Sequence, residues 1–238
     1  MERVKELSVF FPTYNEEDAI ETTITKALKI LPRVAEKWEI IVVNDGSTDK
    51  TSEVVKKLIK KEPRIRMITH TPNRGYGAAF KSGVYNSKCE LIAFTDADGQ
   101  FDFSEITKFI EEQHQSQADL VIGYYLKRAV PFYRILISKM LWELPVFLLF
   151  GLRVRDIDCG FKLIRKEVVN RIPQLEAERG PFISTEFLVK AQKKGFKISQ
   201  VGVHHYPRKA GQATGIALKV ALSGYIDLFR FYRKLRRI

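Results

Sequence analysis

The chain has 238 residues, 45% of them hydrophobic, which is enough to bury a full core and too apolar for a disordered segment. A formal charge of +12 points to an anionic partner, whether nucleic acid, a phosphorylated small molecule or an acidic membrane, and does not choose among them. Two cysteines, Cys89 and Cys159, lack metal-ligand spacing; they exclude a disulfide framework and read as small core residues of a reducing compartment.

Met1 leads straight into Glu2-Arg3-Val4-Lys5-Glu6, so no signal peptide is expected. Leu7 to Pro12 (LSVFFP) is an apolar run closed by proline, the first predicted strand. The acids of Asn15-Glu16-Glu17-Asp18 suit the first turn of a helix reaching about Leu31. Glu39 to Val43 is a second strand, followed by the turn Asn44 to Asp49 and a helix over about Lys50 to Lys61. Ile65 to Thr69 is a third. After it, Asn73-Arg74-Gly75-Tyr76-Gly77 leads into a helix ending near Asn86. Glu90 to Phe94 is a fourth strand, and a helix over about Ser104 to Gln115 and a strand over Asp119 to Gly123 complete the alternation. Strands apolar throughout, alternating with helices, predict an α/β class built on a mostly parallel sheet covered on both faces. Such sheets bind ligands beyond the carboxyl ends of their strands, where Asn15, Asp45, Gly75 and Asp98 fall.

The second half is less regular. Pro131 to Leu152 reads as one or two amphipathic helices, and Lys139, Glu143 and Pro145 interrupt it too often for a bilayer-spanning segment. Cys159 to Arg165 is a predicted strand, Thr185 to Lys194 a helix, and Ile198 to Val203 a strand. Gly215 to Ile238 is helical in pattern and ends in a basic, aromatic run. The expected organisation is one α/β domain over 1–214 and a basic amphipathic helix over 215–238.

The stretch Thr95-Asp96-Ala97-Asp98-Gly99-Gln100-Phe101 follows the fourth strand. Strand periodicity puts Asp96 and Asp98 on one side where the sheet ends. Two anions aimed at one spot repel unless a cation lies between them. An all-oxygen pair, joined by the Gln100 amide oxygen, suits Mg²⁺ or Mn²⁺ better than Zn²⁺. Positions left open on such an ion are typically completed by substrate phosphates. The competing reading is a polar loop in which one Asp caps the next helix.

Four stretches, taken in order, resemble the family 2 glycosyltransferases of GT-A fold: FFPTYNEE at 10–17, VVNDGSTD at 42–49, NRGYGAAFKSG at 73–83 and TDADGQF at 95–101. GYYLKRAVPFYR at 123–134, GLRVRDIDCGFKLIRK at 151–166 and HHYPRKAGQATG at 204–215 are similar to the polyprenyl-phosphate sugar synthases, dolichyl-phosphate mannose synthases among them. The resemblance implies that Pro12 and Tyr14 line a nucleotide-base slot, with Glu16 and Asp45 accepting hydrogen bonds from base or ribose. Val43 and Ala97 would border the same donor site. It implies that Asp96, Asp98 and Gln100 hold the divalent ion, that Arg128 and Arg208 contact phosphates, and that Asp98 and Arg208 are catalytic. Arg134 and Lys209 are further phosphate candidates, and Asp156 matches the acid that structures the acceptor loop. Departures from the pattern are Asn44 for Asp, Tyr125 for Arg, which shifts donor-phosphate contacts to Lys127 or Arg128, and Ala213 for Ser. His204 and His205 lack the spacing of a metal pair and read as structural imidazoles.

The implied activity is an inverting transfer of a hexose from a GDP- or UDP-linked sugar to a polyprenyl (dolichyl) phosphate at the cytoplasmic membrane surface. Phe132, Leu136, Leu141, Trp142, Val146 and Phe147, with the cationic tail, would bed isoprenoid and anionic lipid, against the competing reading of plain core. One alternative is a relative acting on a hydroxyl, with Glu186 as its base. A more distant one is a nonenzymatic basic domain on nucleic acid, a partner that no recognisable motif supports. Oligomeric state stays open.

Overall fold

The computed structural model describes residues 2–126, 139–208 and 218–235. A seven-stranded sheet in the order β3-β2-β1-β4-β6-β5-β7 forms its centre. The strands are β1 (Val4–Thr13), β2 (Ala35–Asn44), β3 (Ile65–Thr69), β4 (Leu91–Thr95), β5 (Leu120–Tyr125), β6 (Phe161–Arg165) and β7 (Ile198–Val203). The pairs β1·β2, β1·β4, β2·β3 and β5·β7 are parallel, while β6 runs antiparallel between β4 and β5. The expectation of a mostly parallel sheet holds. The position and direction of β6 were not read from the sequence.

The central strands are apolar in both registers because helices cover both faces. On one face Val9, Phe11 and Val42 pack with Ile20, Ile24 and Leu31 of α1 (Ile20–Val34), Val55 of α2 (Thr51–Lys61) and Ile106 and Phe109 of the helix Ile106–Ser116. On the other face Phe10, Ile41 and Phe94 pack with Phe80 of α3 (Tyr76–Asn86) and with Phe187 further along the chain. The helix Ile106–Ser116 is α4, preceded by a 3₁₀ turn at Phe103–Glu105. A π-helical turn over Lys139–Glu143 runs into α5 (Leu144–Phe150), and α6 (Lys166–Arg171), α7 (Phe182–Lys193) and α8 (Leu218–Leu235) complete the described helices.

Several boundaries move for local reasons. α1 begins at Ile20, not among Asn15 to Asp18, since Asn15 adopts a left-handed φ of 55° that helical backbone does not allow. α1 passes into β2 at Ala35 without a loop, and Pro32 lies in its last turn. α6, six residues long, gave no sequence signal. α8 is docked on the rest of the chain: Leu228 and Phe231 are buried in the same cluster as Phe182 and Phe187, and Lys234 Nζ donates to Glu176 Oε1 at 2.6 Å.

At the amino ends of the strands, Glu39 of β2 joins four segments. It accepts from Ser8 Oγ of β1 at 2.7 Å, from the Lys88 amide at 2.8 Å and from Arg66 Nε of β3 at 3.0 Å. Burial opposes ionisation there, but these donors outweigh it and hold the carboxyl below its ordinary 4.5. A depressed folded-state pKa contributes stability that is present above 4.5 and lost as pH falls through the folded value. Glu39→Gln is therefore expected to cost about 1–3 kcal/mol at neutral pH. In urea melts its difference from the parent should close as the pH drops below 4.5.

Candidate active site

The carboxyl ends of β1 and β2 carry two loops that lock together. The Asn15 amide donates to Ser47 Oγ at 3.0 Å and the Glu16 amide to Thr51 Oγ1 at 2.9 Å. In return the Thr48 amide donates to Asn15 Oδ1 at 2.8 Å and the Lys50 amide to Glu17 Oε2 at 2.7 Å. The polar residues read as a helix start are thus a clasp between loops. Asn44, at the family's Asp position, is buried and takes the Ser47 amide on Oδ1 at 3.0 Å.

Asp45 follows and is buried. Its carboxylate accepts from the amides of Arg74 at 2.9 Å and Gly75 at 2.7 Å, and faces His70 Nδ1 at 2.6 Å; His70 Nε2 lies 2.9 Å from Ser82 Oγ. Expected to meet base or ribose, Asp45 is occupied here by protein donors. It pins the segment before α3, where Gly75 takes a φ of 101° open to glycine.

The acid pair sits between β4 and the loop before β6. Asp96 Oδ1 accepts from Tyr76 OH at 3.0 Å, and a Cβ on Gly160 would overlap Asp96 Oδ2, so that oxygen rests directly on the glycine. Burial first, and then the neighbouring Asp98 carboxylate, push the Asp96 carboxyl up to about 7, against the pull of Tyr76 and Lys162. Lys162 is fully buried on β6, opposite Phe94, and its ammonium donates to the carbonyl oxygens of Cys159 and, at 3.5 Å, Ile157. Asp98 Oδ1 accepts the Gln100 amide at 3.0 Å. Ala97 is buried, its carbonyl accepting from Thr23 Oγ1 at 3.2 Å. The Gln100 side chain, expected at the ion, donates from Nε2 to Tyr206 O at 2.9 Å, while the Tyr206 amide returns a bond to Gln100 O.

The residues after β7 run back over the site as a strap. The His204 amide and Nδ1 both meet the Glu105 carboxylate at 2.9 Å, and the His205 ring packs on Phe101 and Tyr125. Both histidines hold structure. Arg208 reaches Glu16 in an ion pair that joins the strap to the β1 loop. Burial raises the Glu16 carboxyl and the charge of Asp98 adds to it, while Arg208 opposes both, so these three side chains share one field. Pro12 and Val43 are buried one residue before the ends of β1 and β2, and Tyr14 is 38% exposed in the β1 loop. Arg128, Lys127, Arg134, Lys209 and Ala213 lie outside the described residues. Tyr76, Lys162 and Glu105 were not singled out from the sequence; Tyr76 and Lys162 stand within the motifs at 73–83 and 151–166, whereas no local signal marks Glu105.

Glu186, the alternative's base, is 1% exposed on α7. Its carboxylate accepts from the amides of Glu176 at 2.9 Å and Ala177 at 2.8 Å and from Lys190 Nζ at 2.5 Å. The segment it holds in turn receives the Ala78 amide on Glu178 O at 2.9 Å, which seats the start of α3.

The model of the family described as Glycosyl transferase family 2 matches residues 8–172. The chain belongs to that family. Dolichyl-phosphate beta-glucosyltransferase of Dictyostelium discoideum is 32% identical to this family member over 219 residues, 83% of this chain and 65% of that protein. The enzyme of the same description from Homo sapiens is 32% identical over 219 residues, 84% and 67% of the two chains. Dodecaprenyl-phosphate galacturonate synthase of Rhizobium johnstonii is 26% identical over 207 residues, 87% and 60%. The chain thus spans 65% of the first relative's length and 60% of the third's. A solved glucosyl-3-phosphoglycerate synthase from Mycobacterium tuberculosis, in complex with Mn²⁺, uridine diphosphate and phosphoglyceric acid, superposes with a TM-score of 0.69 at 18% identity, covering 96% of this chain and 78% of that one. The fold is GT-A, as the motifs led one to expect.

Lys190→Met would leave the Glu186 carboxylate buried without its ammonium. It is expected to cost about 3–5 kcal/mol in denaturant melts.

Proposed function

We propose that this chain transfers a hexose, with inversion at C1, from a nucleoside-diphosphate sugar to a polyprenyl phosphate, using Mg²⁺ or Mn²⁺. The observation that carries this reading is the grouping of Asp96 and Asp98 with the Glu16–Arg208 pair at the carboxyl edge of the sheet. The polyprenyl acceptor follows from the names of the relatives, the dolichyl-phosphate glucosyltransferases and the dodecaprenyl-phosphate synthase. Glucose is the first sugar to test.

The residues suit a hard cation. Burial, and after it the neighbouring Asp98 carboxylate, push the Asp96 carboxyl up to about 7, a cost that a divalent ion would offset. Asp96 and Asp98 would hold it, and when bound it would act as a Lewis acid on the leaving diphosphate. Arg208, carried over the site by the strap, would neutralise phosphate charge, and Tyr14 offers an aromatic surface to the base.

A phosphate acceptor needs no general base, since its second ionisation lies near pH 6. Glu186 accordingly has an interior task. The hydroxyl-acceptor alternative would require that carboxylate to reach a substrate, and its contacts are with the chain's own amides and Lys190.

We place the enzyme on a membrane surface, on the cytoplasmic side. Leu144, Leu148 and Phe147 of α5 and Ile226 and Phe229 of α8 are exposed large hydrophobics, with Leu148 at 72%, and Arg230, Arg233 and Lys234 stand on the same α8. Phe150 of α5 packs on Phe231 and Tyr232, so the two helices are neighbours. Apolar side chains edged by basic ones suit an anionic bilayer interface. Among the described residues no helix is long and apolar enough to cross a membrane.

Incubation with radiolabelled nucleotide sugars, a short polyprenyl phosphate and Mn²⁺ should move label into the organic extract. Asp98→Asn should reduce that transfer about 100-fold or more, and chelator should abolish it. Full transfer in either case contradicts the assignment. Glu186→Gln should lower stability and spare turnover per folded molecule. For the membrane face, Leu148→Glu with Phe229→Glu should weaken flotation with anionic vesicles about tenfold or more, and unchanged flotation would count against it.

A further inference from the structure

Tyr76 is the first residue of α3, directly after Gly75. Its hydroxyl donates to Asp96 Oδ1 at 3.0 Å, and its ring stands edge-on to Phe94 with centroids 6.4 Å apart. Phe94 lies two residues before Asp96, so ring and hydroxyl engage the same strand end. The backbone behind the ring is equally constrained. Asp45 holds the Gly75 amide at 2.7 Å, and a Cβ at Gly75 would press on Glu178 O. On the far side of the carboxylate, Oδ2 rests on Gly160, whose loop is tied down by the buried Lys162 through the carbonyls of Ile157 and Cys159.

The Asp96 carboxylate is thereby gripped from both sides by segments distant in sequence. A carboxylate on a loop end otherwise rotates freely about its last bond, because that torsion is broad and two-fold. We propose that Tyr76 is a positioning residue, which fixes the orientation of the Asp96 carboxylate so that it and Asp98 address one divalent cation. The inference rests on the reading of the acid pair as a cation site. It adds a physical role for the glycine-rich segment: through Gly75 and Tyr76, the loop pinned by Asp45 sets the geometry of the acids. Outer hydrogen bonds of this kind typically alter metal affinity about 10–100-fold.

The test is Mn²⁺ binding to the full chain without sugar or acceptor, followed by the free-Mn²⁺ EPR signal at fixed pH. Tyr76→Phe keeps the ring and deletes the donor. Its Mn²⁺ dissociation constant should rise about tenfold or more, the metal-free protein should still melt cooperatively, and turnover should recover at saturating Mn²⁺. Gly160→Ala, which displaces Oδ2 and leaves the tyrosine intact, should weaken Mn²⁺ in the same direction. If the parent protein binds no Mn²⁺, the cation-site reading fails and this one with it. If the parent binds and either variant matches it within about twofold, well inside that range, the positioning role alone is overturned. Loss of cooperative melting in Tyr76→Phe would also overturn it, by showing that the hydroxyl serves the core.

Discussion

Two carboxylates held close together at the end of one strand repel, and the surroundings of Asp96 and Asp98 are arranged about that repulsion. Burial strengthens it by removing the water that would screen it. Tyr76 and Lys162 offset part of the cost at Asp96, but not enough to return its carboxyl to the ordinary range. Glu16 adds a third negative charge, and Arg208 answers it from the strap. The half-buried site thus carries an excess of negative charge, which a divalent cation would offset.

Sheet topology makes this convergence geometrically accessible. Parallel strands end at one edge, and β6, running the other way, begins at that edge with Phe161 opposite Thr95. The loop before β6 consequently lands on the acids, with Gly160 against Asp96 and Lys162 behind it. β7 is parallel to β5, so the residues that follow it leave at the same edge and cross the cleft as the strap. Stability and chemistry are kept at opposite ends. Glu39 and its donors tie segments together toward the amino edge, while the carboxyl edge carries the unbalanced charge.

The interior pair of Glu186 and Lys190 extends the same logic to α7. Its carboxylate supports the segment at Glu176 and Ala177, and that segment supports the start of α3, which carries Tyr76. A residue that would pass for a general base by position is structural by environment. α8 is similar in kind: a basic tail by composition, it buries Leu228 and Phe231 against the body and leaves Ile226 and Phe229 outward.

Read alone, the sequence determined the alternation of strand and helix, because continuous apolar runs such as LSVFFP and EIIVV have no stable place except a sheet covered on both faces. It also located Asp45, Gly75, Asp96 and Asp98 at strand ends, and β7 at its observed bounds, since local period and turn chemistry carry that information. Tertiary structure decided the rest. The antiparallel insertion of β6, the bonds from Arg74 and Gly75 to Asp45 and the bond from Gln100 Nε2 to Tyr206 depend on partners far along the chain, while the withdrawal of Glu186 into the core depends on how α7 packs. Hydrogen-bond donors compete for a carboxylate by distance in space, and no pattern of neighbours in sequence records which one arrives.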